Sequence, residues 1–132
     1  MIRLTFMDAD VQKMNKVFNQ AAPKESGAFF ELREGWGVTG RRLLAVRPIF
    51  PVAEDLDQQD NGILRPGARW ISAAISHAIN VDSGLIFVHS HPNPGNPLGF
   101  SEIDRASLAS LEKSIKPLLN GPFAAAVVHP EG

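Results

Sequence analysis

Two histidines separated by one residue, His89 and His91, directly follow the apolar run 85–88. If the extended backbone of that run continues through them, its alternation points both imidazoles to the same side. Asp104 is the natural third ligand, because it lies in the first turn of a predicted helix that a Pro- and Gly-rich segment brings back beside the strand end. Two imidazoles, one carboxylate and a water would form a tetrahedral zinc site of the catalytic kind. The spacing therefore predicts a Zn2+ centre for hydrolysis.

More ordinary roles are open to each of these residues taken singly. Ser101 and Asp104 could be a helix-capping pair, with the serine as cap and the acid as its reciprocal partner. A histidine at a strand end is more often structural than metal-bound, and His77, which lies off the apolar stripe of its own helix, is expected at the surface. The side chain of Ser90 should point away from both histidines and bond to nearby backbone. The conjunction of motifs favours a metal site, and no single motif does.

The conjunction resembles the JAMM (MPN+) metalloprotease family, whose signature is an upstream glutamate, then His-x-His-Pro and then Ser-x-x-Asp. In this chain the signature reads Glu25, His89-Ser90-His91-Pro92 and Ser101-Glu102-Ile103-Asp104. The segment from Glu25 to Phe30 is also similar to the family strand that follows the glutamate. Without the resemblance, Glu25 would not be preferred over the other glutamates nearby.

The resemblance implies a role for each matched residue. It makes His89, His91 and Asp104 the Zn2+ ligands. Glu25 would take a proton from the metal-bound water and return it to the leaving amine, and Ser101 would hydrogen-bond the developing oxyanion. Zinc can lower the pKa of its bound water to about 7, which makes hydroxide available near neutrality. The loop between His91 and Ser101 has nine residues, two more than is usual in the family.

The resemblance also implies a fold, a substrate and partners. The fold is the MPN (cytidine deaminase-like) fold, with a mixed, mostly antiparallel central sheet flanked by helices. The activity is that of a zinc peptidase or isopeptidase that hydrolyses the amide bond after the C-terminal tail of a ubiquitin-like protein, in deconjugation or in precursor processing. An enzyme that activates the ubiquitin-like protein, encoded alongside or fused, is an expected partner. Residues 1–132 would be one such domain, complete or as the N-terminal part of a longer polypeptide.

Two functions of other classes stay open. One is a RadC-like, DNA-associated branch of the same fold, and the other is a non-catalytic MPN-type scaffold. The charge balance disfavours the first, because 13 basic and 14 acidic residues give no basic surplus for phosphate binding. A non-catalytic scaffold has no physical need for all five polar signature residues together.

Composition narrows the chemistry further. The chain has 132 residues, enough for a single core, and no cysteine, which excludes thiol nucleophiles, thiolate zinc sites and disulfides. Any metal must therefore be held by nitrogen and oxygen. No apolar run is long enough for a membrane span and no secretion signal begins the sequence, so a membrane partner is not expected and the cytoplasm is the expected location.

Periodicity predicts the elements that position these residues. Period-two alternation predicts a strand with one buried face at 2–6, and helical spacing predicts a helix from Asp8 or Asp10 to Pro23. Antiparallel strands are expected within 26–32 and 43–52, with turns at Glu34-Gly35 and Thr39-Gly40, a loop at 54–61, helices at 66–80 and 101–117, a strand buried on both faces at 85–88, and a final strand at 123–128. This order predicts an α/β or α+β layered domain.

Overall fold

The computed structural model describes residues 2–22, 24–37, 40–51, 56–59, 64–90 and 102–128. Its elements in chain order are β1 (Ile2–Phe6), α1 (Asp8–Ala21), β2 (Gly27–Gly37), β3 (Gly40–Ile49), β4 (Leu56–Gln59), β5 (Leu64–Pro66), α2 (Ala68–Val81), β6 (Gly84–Ser90), α3 (Glu102–Ile115), a 3-10 turn (Lys116–Leu118) and β7 (Phe123–Val128). None of the helices in these ranges has both the length and the hydrophobicity needed to cross a bilayer.

Five of the described strands form one sheet in the order β1-β3-β2-β6-β7. β1 pairs with β3, and β6 with β7, in parallel, whereas β2 is antiparallel to both β3 and β6. The sheet is therefore mixed, as predicted, but antiparallel pairing does not predominate in it. The parallel pairs follow from the helices between their strands, because a parallel connection needs a crossover and α3 supplies one between β6 and β7.

The sheet lies between two helical layers, and the side-chain alternation of β2 shows why. Ala28, Phe30 and Leu32 pack with Met14 and Phe18 of α1 on one face. On the other face, Phe29 packs with buried residues of β6, α2 and α3, which are Leu85, Phe87, Trp70, Ala74, Ala78, Leu111 and Ile115. The predicted α+β layered class is confirmed. β6 is buried along its whole length, as expected for a strand with both faces covered.

Three sequence predictions about strands are wrong. β2 continues to Gly37, which pairs with Gly40, so no turn interrupts it at Glu34-Gly35. Within the predicted 54–61 loop, Leu56–Gln59 is a strand that pairs with β5. β1 is a strand at the sheet edge, but its predicted buried face is mostly exposed: Ile2 and Leu4 are 62% and 38% exposed, and Phe6 alone packs against the core that contains α1.

Of the two predicted helix starts before the His89 strand, the start of α1 at Asp8 is confirmed and the start of α2 at Pro66 is wrong. α2 begins at Ala68 with Gly67 as its N-cap, and Pro66 belongs to β5. α1 begins at Asp8 after Met7, without a side-chain capping hydrogen bond. Both helices keep most of the predicted apolar stripe, although Ile79 at the end of the α2 stripe is 56% exposed, so packing rather than capping determines where they lie.

Glycine is required where β6 and β7 begin. A Cβ on Gly84 would lie 2.0 Å from the carbonyl oxygen of Pro122, and a Cβ on Gly121 would lie 2.3 Å from the nitrogen of Gly84. The same close approach allows the Leu85 amide to donate to the Pro122 carbonyl at 3.0 Å. The missing side chains thus let β7 start alongside β6 and establish the parallel register.

Candidate functional site

Antiparallel pairing of β2 with β6 brings together two residues 64 positions apart in sequence. Gly27 is the register partner of His89, so the segment entering β2 lies beside the end of β6. Glu25 Oε1 lies 3.6 Å from His89 Nδ1, a distance of electrostatic contact and longer than a normal hydrogen bond. Their relative exposures are 2% and 3%. Two of the five predicted site residues thus share one buried location.

Ser90 forms hydrogen bonds across the same two strand ends, the start of β2 and the end of β6. Its hydroxyl accepts a hydrogen bond from the Ser26 amide at 2.9 Å and is 3.4 Å from the Ser26 carbonyl, which the Ser90 amide also contacts at 2.9 Å. Ser90 is completely buried. The prediction that this serine bonds to nearby backbone is confirmed.

His89 faces the side of the sheet that α2 and α3 cover. Its ring is stacked on that of Phe87, with centroids 5.8 Å apart and planes 11° from parallel, and Phe87 in turn contacts Phe29 and Trp70. The aromatic contacts hold the imidazole in one orientation. His89 also lines a narrow cleft with residues of β5 and α3, namely Leu64, Pro66, Ser107, Leu108 and Leu111.

Asp104 belongs to the helix that borders this cleft. The backbone of α3 is helical from Glu102, and position 104 lies one turn before Leu108 and two turns before Leu111. Helical spacing therefore places position 104 on the same stripe of α3 as two residues that line the cleft with His89. The side chain of Asp104 lies outside the described part of the structure.

His91 and Ser101, the other two predicted site residues, lie outside the described residues. Among the side chains that are described, no three of His, Asp and Glu come together as a metal-binding group. The described chain therefore contains one predicted ligand, His89, and the predicted proton carrier, Glu25, in contact with each other.

Three nearby glutamates, which the residues alone did not distinguish, lie in different surroundings. Glu25 lies beside His89, as described. Glu34 is one-third exposed and forms an ion pair with Arg41. Glu31 is completely buried on the α2 side of the sheet and is bound by basic side chains from three elements, which are Arg33, Arg47 and His77.

The Glu31 cluster was not anticipated, and it corrects the prediction for His77. His77 Nε2 lies 2.8 Å from Glu31 Oε1, and the side chain is 29% exposed, so it is not a simple surface histidine. Burial of Glu31 acts to raise the pKa of its carboxyl, but hydrogen bonds from Arg33 and His77 and the charges of Arg33 and Arg47 outweigh it and hold the pKa below the ordinary 4.5. A signal was present in the sequence: His77 follows the buried Ala74 by three residues and so borders the covered face of α2.

Arg47 reaches Glu31 from a β-bulge. Phe29 pairs with Ile49 and Glu31 with Val46, so Phe30 is opposite two residues of β3. Arg47, the first of these two, has a φ of 52°, in the left-handed region that is uncommon for a residue with a Cβ. The bulge redirects the β3 backbone where the guanidinium approaches the buried carboxylate.

No protein-family model matches the chain, and no curated protein matches it either. Within the described structure, the buried contact between Glu25 and His89 is the feature that bears most directly on chemistry.

Proposed function

We propose that the chain is a zinc-dependent peptidase of the JAMM (MPN+) type, which hydrolyses the amide bond after the C-terminal tail of a ubiquitin-like protein. The observation that carries the proposal is the burial of Glu25 against His89 at the adjoining ends of β2 and β6. These are two residues of one predicted constellation, and 64 positions separate them in sequence. Burial of a carboxylate and an imidazole is costly, so their joint position is better explained by a site than by packing.

The donor set suits zinc. In a chain without cysteine the ligands must be nitrogen and oxygen, and His89 would be joined by His91 and Asp104. His89 is held against Phe87 in a fixed orientation, which favours a rigid ligand. Position 104 is on the stripe of α3 that borders the His89 cleft.

When bound, zinc would supply a water of lowered pKa and would polarise the substrate carbonyl. Glu25 would accept the proton released during attack and deliver it to the departing amine, for which its carboxylate must stay next to the ligand set. The Ser26–Ser90 hydrogen bonds hold it there. Ser101 would donate a hydrogen bond to the oxyanion, as the family resemblance implies.

The family resemblance implies the substrate class, and the sheet has an edge near His89 along which an extended tail could bind. Among the described strands, β7 is the sheet edge nearest to His89, because Val127 is the register partner of His89. An extended tail that ends in the scissile amide could add along such an edge. We therefore propose a ubiquitin-like protein or its conjugates as substrate, and an activating-type enzyme as the functional partner.

Metal analysis of purified protein tests the ligand set. We expect stoichiometric zinc in the wild-type chain and a large loss in the Asp104→Ala variant, because a carboxylate ligand has been removed. Asp8→Ala is the matched control, since Asp8 also lies in the first turn of a helix but on α1. Equal zinc content in all three proteins would remove Asp104 from the ligand set and undermine the proposal.

A further inference from the structure

β1 leaves one side of its backbone unpaired within the described sheet. It is the terminal strand of that sheet, and its described neighbour is β3. An edge strand of this kind presents amide and carbonyl groups to which another extended chain can add. This edge lies three strands away from β6, so it is separate from the Glu25–His89 site.

Arginines cover one face beside this edge. Arg3 of β1 is the direct register partner of Arg42 of β3, and both side chains are exposed. Neither forms an ion pair within the described residues, although two like charges placed side by side across strands destabilise a sheet. A fold has no reason of its own to maintain this pair, so the two positive charges point to a partner.

Two more guanidiniums extend the same basic face. Arg33 and Arg47, 53% and 61% exposed, are both associated with the single carboxylate of Glu31. Thr5, Arg33, Glu34 and Arg42 line one depression, and Glu34 already forms an ion pair with Arg41. The surface therefore has a surplus of positive charge in a chain whose net charge is −1.

The opposite face of β1 is apolar and exposed. Ile2 and Leu4 alternate with Arg3 and Thr5 and are 62% and 38% exposed. The edge strand therefore offers three features in register: backbone groups that no other described strand pairs with, positive charge on one face and apolar surface on the other. A strand laid beside it would place alternate side chains on these two faces.

We propose that β1 is a docking edge for an extended protein segment in which acidic and apolar residues alternate. The acidic side chains would lie over Arg3 and Arg42, the apolar ones over Ile2 and Leu4, and the backbone would continue the sheet as an added strand. A nucleic acid strand could use the arginines but not the apolar face or the backbone edge, so the observations favour a peptide. This inference does not depend on the proposed peptidase activity.

Fluorescence anisotropy with synthetic peptides of about ten residues, a length that covers an edge strand, tests the docking edge. We expect a labelled peptide of alternating Glu and Val to bind, and Arg42→Glu to weaken that binding roughly tenfold or more. Lys13→Glu, the same charge change at an exposed position of α1, should leave it unchanged. Arg42→Glu should fold at least as stably as wild type in thermal unfolding, because it places an opposite charge beside Arg3. Lost stability together with lost binding would instead make Arg42 a structural residue.

Two further probes separate strand addition from simple charge attraction. The same peptide with alternate backbone amides N-methylated should bind much more weakly, because it cannot complete the ladder. Equal binding of the methylated peptide, or of a scrambled peptide with the same composition, would overturn the proposal. Tighter binding of an oligothymidylate than of the peptide would overturn it in favour of a nucleic acid partner.

Discussion

Glu25 and Glu31 are separated by five residues of one chain segment, and both are almost inaccessible to solvent, yet their surroundings differ. Glu31 lies within the sheet, where Arg33 of β2 and Arg47 of β3 bring positive charge to it and His77 of α2 forms a hydrogen bond with it. Glu25 lies just before β2 begins, and its Oε1 atom is 3.6 Å from Nδ1 of the His89 imidazole. The Glu31 carboxylate is enclosed by an ion-pair network, and the Glu25 carboxylate lies beside a histidine that lines a cleft.

The difference separates a structural carboxylate from a candidate catalytic one. Hydrogen bonds and nearby guanidiniums stabilise the ionised form of Glu31 and leave little reason for it to exchange protons near neutrality. Glu25 contacts a side chain that can itself bind a metal or a proton. Burial alone therefore does not identify a functional carboxylate, and the identity of its neighbours does.

The largest effect should come from Glu25→Gln. On the proposed mechanism this variant still binds zinc, because the ligands are intact, but hydrolyses a ubiquitin-like conjugate about 10²–10⁴-fold more slowly, because the proton carrier is lost. Turnover and zinc content should be measured on the same preparations. Glu31→Gln is the comparison variant and should retain near wild-type turnover per folded molecule. Equal losses in the two variants, or unchanged turnover in Glu25→Gln, would contradict the distinction.

A smaller effect, on stability, should come from Glu31→Gln. Loss of the buried carboxylate leaves its basic partners without their shared counter-charge, and we expect a loss of about 2 kcal/mol in the free energy of unfolding at neutral pH. The folded pKa of Glu31 is lowered, so its contribution is present above pH 4.5 and is lost as the pH falls through the folded pKa. The difference between wild type and variant should therefore shrink in acid. Denaturant unfolding at several pH values would measure this, and a difference that stays constant into acid would exclude the ion-pair explanation.

The smallest effect should come from Arg47→Gln. The Arg47 guanidinium is 61% exposed and lies 3.6 Å from Glu31, so solvent screens most of the interaction. We expect a loss of roughly 0.5 kcal/mol or less in the free energy of unfolding, compared with the larger loss for Glu31→Gln. Glutamine retains the left-handed backbone at this position, so the comparison isolates the charge. A loss as large as that of Glu31→Gln would show that Arg47 dominates the network.

The sequence predicted elements well where a local period controls them. The stripes of α1 and α2 follow from the burial of one helix face, and the apolar run of β6 from the burial of the whole strand; β7, also an apolar run, is partly buried. The long extension of β2 and the strand β4 depend on hydrogen bonding to β3 and β5, which no local pattern contains. For the same reason the turn predicted at Glu34-Gly35 does not exist.

The site could be predicted only in part from the residues. Alternation along β6 gave the orientation of Ser90, and the apolar run 85–88 predicted the buried strand, which in the structure continues through His89 to Ser90. Glu25 was selected by resemblance alone. Glu25 and Glu31 are the same residue type. The side chains that contact them differ because of the β2 register and the position of α2, both of which are long-range properties.

Ser90 separates the two histidines of the predicted motif, and its hydrogen bonds to Ser26 have a consequence for preorganisation. The backbone and the hydroxyl of Ser90 together join the start of β2 to the end of β6. The conformational entropy cost of placing Glu25 beside His89 is therefore met during folding and not when a substrate binds. The central residue of the His-x-His motif is thus more than a spacer. It sets the spatial relation between Glu25, the proposed proton carrier, and His89, the proposed ligand, through its hydrogen bonds to Ser26.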